Sequence, residues 1–257
     1  MKIGAQTYTI RDHTQDVDSF ARSMEKLYKI GYRTVQISKI GDIPAKEVRR
    51  YCDENGLSII MTHTDPVKIR DKTDQVIEDH VTMGTKYVGI GAMPAVYKKS
   101  FEDVKRFVAD YRPVSEKIHK AGLLLMYHNH TEEFARFDGM TVMDFFAEEF
   151  DKDKLGFILD TCWVQAGGCD PAWWIGKLCG RIPAIHFKDM VFTLDRQLLT
   201  VPVMEGNLNW EAIFAAVRRP EVGVEYIFVE QDQCHELDPF DALAISLKNL
   251  TDAGFSA

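Results

Sequence analysis

The chain is short of the features that mark several large protein classes. Cysteine is scarce and unpaired: Cys52, Cys162, Cys169, Cys179 and Cys234 are odd in number and form no C-x-x-C pair. That composition excludes a disulfide scaffold and a zinc ribbon, and it fits reduced thiols in a cytoplasm. Positive charge is in deficit, with 31 Lys+Arg against 39 Asp+Glu and a net charge of −8. A surface that tracks nucleic-acid phosphates needs a basic stripe, and the most notable basic group, the short stretch Arg49–Arg50, reads as the solvated face of a helix. No apolar run approaches the length of a membrane span. The opening MKIGAQTYTI is too weakly apolar for a secretory signal and reads as a first strand. Gln6-Thr7-Tyr8-Thr9-Ile10 contains no glycine, so no dinucleotide phosphate loop follows that strand, and no nucleotide cofactor is expected. Low-complexity segments and Pro/Gly/Ser linkers are also missing, which leaves residues 1–257 as one expected domain.

What is present is a repeat of short apolar runs separated by helical periodicity. Candidate strands are Lys2–Gln6, Thr34–Ser38, Ser58–Thr62, Tyr87–Gly91, Leu123–His128, Gly156–Leu159, Ile182–Phe187 and Tyr226–Glu230. Between them Phe20, Met24 and Leu27 share a helical face, as do Val104, Phe107, Val108 and Tyr111. Pro44 opens a helical segment that Gly56 closes, and Asp170–Pro171 and Asp238–Pro239 each set an N-cap acceptor before a first-turn proline. Asn209 is placed to cap the segment bearing Trp210 and Phe214, and Pro113 predicts a kink or break in the longest helix. Eight strands alternating with helices give a parallel sheet of α/β class, and at this length a single closed (β/α)8 barrel is the natural solution. A doubly wound open sheet is the runner-up.

Four of these runs end in residues that can ligate a metal: Leu123–Tyr127 at His128, Leu155–Leu159 at Asp160, Ile182–Ile185 at His186, and Tyr226–Val229 at Glu230. In a closed barrel this places all four on one rim, the rim where barrel enzymes do chemistry. Each has a bland reading: a hydrogen-bonded histidine, or a carboxylate capping the next helix. Buried imidazole and carboxylate groups without partners are costly, however, so partners are implied. Two imidazoles with two carboxylates suit Zn2+, Mn2+, Co2+ or Fe2+ better than an all-oxygen Ca2+ site. Such an ion polarises a carbonyl and a neighbouring hydroxyl, which acidifies the C–H between them. Alternation along the strand points His130 the same way as His128, so either could ligate while the other orients substrate.

The segments YHNHTEEF, LDTCWVQAGGCDP, GRIPAIHFKD and VPVMEGNLNW together resemble the sugar phosphate isomerase/epimerase superfamily of xylose-isomerase-like TIM barrels. The resemblance covers essentially the whole chain and includes relatives of tagatose 3-epimerase and of inosose isomerase and dehydratase. It implies one divalent ion, Mn2+, Zn2+ or Co2+, held by Glu, Asp, His and Glu from strands five to eight. Matched by motif, the last three are Asp160, His186 and Glu230, while the first glutamate falls on His128. Family epimerases use two glutamates on opposite faces of the substrate, and here Glu230 alone remains. His128 could act as the second base. Alternatively, enolisation by one base followed by loss of a β-substituent would make the chain a lyase or dehydratase of a keto-sugar or keto-inositol.

Other rim residues complete the expected site. The resemblance implies that His63 contacts substrate; Lys188 could bind an oxyanion or shuttle a proton, or simply pair with Asp189. Glu205 could reach the site from its loop, Trp163 could wall a sugar pocket, and Glu132 or Glu133 could replace the missing glutamate. Trp173 and Trp174 read as helix-to-barrel packing. The expected partner is a small-molecule sugar or cyclitol, not nucleic acid or membrane. A homo-oligomer is left open. A non-catalytic sugar-binding barrel is the alternative of another class.

Overall fold

A computed structural model describes all residues 1–257. The eight barrel strands are β1 (Lys2–Gln6), β2 (Thr34–Ser38), β3 (Ser58–Thr64), β4 (Tyr87–Ile90), β5 (Leu124–His128), β6 (Leu155–Asp160), β7 (Ala184–Phe187) and β8 (Tyr226–Val229). They pair in parallel in sequence order and close β8 against β1. Each expected strand is found to within three residues at either end. Near-continuous burial of β4, β6 and β7 explains why they read as apolar runs rather than alternating ones, whereas β2, equally buried, alternates as Thr-Val-Gln-Ile-Ser. No helix is long and apolar enough to cross a membrane.

The expected caps are in place. Asp170, Asn209 and Asp238 accept the backbone N–H groups of Trp173, Ala212 and Phe240. Pro113 neither breaks nor ends its helix, which runs Phe101–Lys120. Its ring lies on the exposed face, and the carbonyl of Ala109 that loses a partner is exposed too, so water can take the freed acceptor. Trp174 is buried as expected, whereas Trp173 is 58% exposed and packs on Trp174 only at an edge. Two hairpins escaped the apolar-run criterion because they are short and half-exposed: Arg136–Phe137 with Met140–Thr141, and Asp189–Phe192 with Leu198–Val201.

The apolar core forms two shells. A cluster of 62 residues joins strands to helices, and a plug of six fills the barrel: Met61, Tyr87, Met126, Ile158, Ala184 and Phe228. Gly4 makes room for the plug, since a Cβ there would lie 2.5 Å from the Phe228 ring. Above the plug the inward side chains turn polar on nearly every strand: Gln6, Gln36, His63, His128, Asp160, His186 and then Glu230. A register shift between β2 and β3, in which Val35 faces Ile59 but Gln36 faces Met61, brings His63 level with Ser38. The functional rim is therefore a polar layer seated on a dry, packed floor.

Candidate active site

His128 and Asp160 are the last residues of β5 and β6, His186 lies within β7, and Glu230 follows β8 directly. Their ligating atoms all lie within 4.8 Å of one another, and all four side chains are buried. His128 Nε2 is 3.3 Å from Asp160 Oδ2 and 3.9 Å from Glu230 Oε2; His186 Nδ1 is 3.8 Å and 3.0 Å from the same two oxygens. Ligands about 2.0–2.2 Å from a single ion lie roughly 3–4 Å from one another, so these spacings fit one coordination sphere. Asp160 caps the next helix with one oxygen and keeps the other free of that role. Its Oδ1 accepts the Trp163 N–H and caps the helix Thr161–Ala166, which leaves Oδ2 for the cluster.

The outward nitrogens of the two imidazoles face acceptors. His128 Nδ1 donates to the Gly91 carbonyl at 3.0 Å, and His186 Nε2 donates to Gln36 Oε1 at 2.7 Å. The inward nitrogens, His128 Nε2 and His186 Nδ1, face the two carboxylates; burial would lower His186, but Glu230 and Asp160 raise it above the usual histidine range. Two ring nitrogens and two carboxylate oxygens gathered this closely are a donor set that a divalent ion takes. The residues present therefore fit a divalent ion.

A fixed cation stands against the same oxygens. Lys188 Nζ, 1% exposed at the side chain, lies 3.0 Å from Asp160 Oδ2, 2.8 Å from Glu230 Oε2 and 3.1 Å from Asp232 Oδ1. The pair with Asp189 considered from sequence does not form. Burial alone would raise the Asp160 and Glu230 carboxyl groups; the ammonium and the imidazoles overcome it and hold both below the usual carboxylate range. Burial would lower Lys188, but its three carboxylates keep it well above the ordinary lysine range. Burial, followed by the neighbouring imidazoles His128 and His186, drives His63 well below the usual histidine range. Burial and His128 lower His130 to about 3. Both are neutral donors or acceptors at physiological pH.

A cavity of about 950 Å³ opens over the cluster and is walled by Tyr8, His63, His130, Trp163, Lys188 and Glu230. Three nitrogens on its wall have no partner in the protein: His63 Nε2, His130 Nδ1 and Trp163 Nε1. The Gln6 amide faces His63 Nδ1 at 3.4 Å, which leaves the imidazole proton on the unpartnered nitrogen. Gly91 admits this side chain, since a Cβ there would meet His63 Nδ1, Cγ and Cβ at 3.0–3.2 Å.

Two expectations do not join this assembly. Glu205 is exposed, bonds Asn249 Nδ2 at 2.9 Å and lies outside the cavity wall. Its loop is pulled back by Asp189, which accepts the N–H groups of Met204, Gly206 and Leu208. Neither glutamate after the YHNH segment replaces His128. Glu132 pairs with Lys98, and Glu133 is turned into the barrel wall, where it accepts the Tyr127 hydroxyl at 2.6 Å and the His130 N–H at 2.7 Å. Gln6, Gln36 and Asp232 escaped the sequence reading. Each had a signal: a polar residue in or beside an apolar run, and in Asp232 a carboxylate two residues past Glu230.

The model of the xylose isomerase-like TIM barrel family matches residues 24–248. Among solved structures, a sugar phosphate isomerase/epimerase from Parabacteroides distasonis superposes with a TM-score of 0.83 at 24% identity, covering 100% of this chain and 95% of that one. The probable 3-DHS dehydratase AsbF of Bacillus anthracis gives 0.74 at 17% identity, with 98% and 99% covered. An L-ribulose 3-epimerase gives 0.74 at 16% identity, with 99% and 94% covered. No curated protein sequence matches the chain significantly.

Proposed function

The chain belongs to the xylose isomerase-like TIM barrel family, and from that premise we propose that it is a divalent-metal-dependent enzyme of the isomerase/epimerase type that enolises a keto-sugar, sugar acid or cyclitol. The observation that carries this reading is the pair of anchored imidazoles whose inward nitrogens meet Asp160 and Glu230. His128, Asp160, His186 and Glu230 would hold the ion, which supplies Lewis acidity toward a ketone oxygen and the hydroxyl beside it. The substrate ring lies in the cavity against the Trp163 face. Hydroxyl groups there satisfy the unpartnered nitrogens of His63, His130 and Trp163. His63, neutral and carrying its proton on Nε2, donates to a substrate oxygen as negative charge develops on it.

Glu230 is the group placed to take the carbon-bound proton. As a ligand, His128 has both nitrogens committed, one inward and one to Gly91, and so serves poorly as an opposing base. One base in reach favours proton transfer on a single face, or β-elimination. That observation supports the second reading, a lyase or dehydratase, and a probable dehydratase is among the proteins of like fold. A barrel that merely binds sugar has no need of a buried four-ligand set.

The test is elemental analysis of protein grown with manganese and zinc, followed by a keto-sugar and cyclitol screen for deuterium uptake from solvent. Asp160→Ala should keep its circular dichroism and lose both metal and exchange. A wild-type protein free of metal, or an Asp160→Ala variant with undiminished turnover, would refute the reading. A product lighter than substrate by water or another β-substituent marks elimination, and a product of unchanged composition marks isomerisation.

A further inference from the structure

The buried charges around the cluster do not balance among themselves. Asp160, Glu230 and Asp232 surround the single ammonium of Lys188, and both Asp232 oxygens lie 3.1 Å from it. Counting these four groups alone, the sum is two negative charges in excess inside a desolvated site, which is unfavourable. A dication closes the balance, but it must use Asp160 Oδ2 and Glu230 Oε2, the oxygens that Lys188 holds at 3.0 and 2.8 Å. Two like charges cannot share those oxygens without strong repulsion. Only Asp232 gives the ammonium somewhere to go. It lines the cavity, its side chain is 25% exposed, and its backbone carbonyl is fixed by Arg11 Nη1 at 2.9 Å.

Resting on the metal-dependent reading above, we propose that Lys188 is an internal rival of the metal for two carboxylate oxygens, and that Asp232 is the positioning residue that draws it aside. Metal entry and the shift of Lys188 toward Asp232 are then one event. The ammonium of the loaded site stands between Asp232 and the Trp163 ring, whose centroid lies 5.0 Å from Nζ. Metal affinity is set by this pair as much as by the four ligands.

Calorimetric Mn2+ titrations of wild type, Lys188→Met, Asp232→Asn and the double variant test the proposal. Lys188→Met should bind Mn2+ at least about tenfold more tightly, Asp232→Asn about tenfold more weakly, and the Asp232 effect should largely vanish without Lys188. If wild type binds and Lys188→Met binds no better, the rivalry is refuted while the metal site stands. If neither binds, the metal-dependent reading itself falls and takes this inference with it. Should Lys188→Met fail to fold, Asp232→Asn decides alone: affinity equal to wild type overturns the proposal.

Discussion

Asp189→Asn gives the sharpest test of how the rim is built. The Asp189 carboxylate is fully buried and accepts five N–H groups. Oδ1 takes Met190 at 2.8 Å and Leu208 at 3.3 Å, while Oδ2 takes Met204 at 3.0 Å, Gly206 at 3.0 Å and the Trp210 indole at 2.6 Å. An asparagine keeps one oxygen. If it sits at Oδ2, the new NH2 faces the donors of Met190 and Leu208; if it sits at Oδ1, three donors are left facing another donor. At least two hydrogen bonds to a charged group are lost, and each contributes roughly 1.5–3 kcal/mol, so the variant should lose about 3–6 kcal/mol. Urea unfolding followed by circular dichroism should show a lower midpoint at unchanged slope. Mn2+ affinity of the folded variant should stay within about threefold of wild type, because the loop 202–209 carries no ligand. A loss below about 1 kcal/mol would mean that the five contacts contribute little and that the loop is held by its apolar residues instead.

Three further outcomes follow from the same geometry. Gln36→Leu removes the acceptor of His186 Nε2 and should weaken Mn2+ binding by about 10- to 100-fold; an unchanged dissociation constant would refute the orienting role. Burial lowers His80 from 6.5 to about 4, so its contribution of about 3 kcal/mol is complete above pH 6.5 and is lost as pH falls through 4. In Glu133→Gln, urea midpoints should therefore rise steadily from pH 4 to 6.5; a flat profile would refute the assignment. Burial raises Glu133 from 4.5 to about 7, so its contribution of similar size is complete below pH 4.5 and is lost as pH rises through 7. In His80→Gln the midpoints should accordingly fall over that window, whereas in wild type the two slopes offset one another.

Most strands were legible because a closed parallel barrel buries both faces, so β5 to β8 are apolar runs and a polar residue at the end of each stands out. That contrast exposed His128, Asp160, His186 and Glu230 and fixed their common rim before any geometry was known. It failed where polarity was ordinary. Glu205 sat in a polar loop, and nothing in VPVMEGNLNW shows that Asp189 fifteen residues upstream ties the backbone so that the carboxylate faces Asn249. The Asp160 cap and the Asp160 ligand looked like alternatives in one dimension, yet a carboxylate has two oxygens: one accepts the Trp163 N–H and the other stays among the imidazoles and Lys188.

Charge accounting over the four strand-end residues alone makes the loaded site neutral, two carboxylates against one dication, and suggests a stronger Lewis acid than a set with three carboxylates would give. Lys188 and Asp232 enlarge that account without changing its sum, since they add one positive and one negative charge. They do change where the field acts. The ammonium lies beside the Asp160 and Glu230 oxygens, and Lys188 is among the residues that wall the cavity. A developing enolate oxygen would therefore meet positive charge from Lys188 as well as from the ion, and electrostatic stabilisation of that charge is the largest lever such a site has. On the proposed metal-dependent reading, a histidine rather than a carboxylate at position 128 would leave Glu230 as the base and make the ion the sharper electrophile, a combination suited to a substrate whose proton is easily lost and need not be returned to the opposite face.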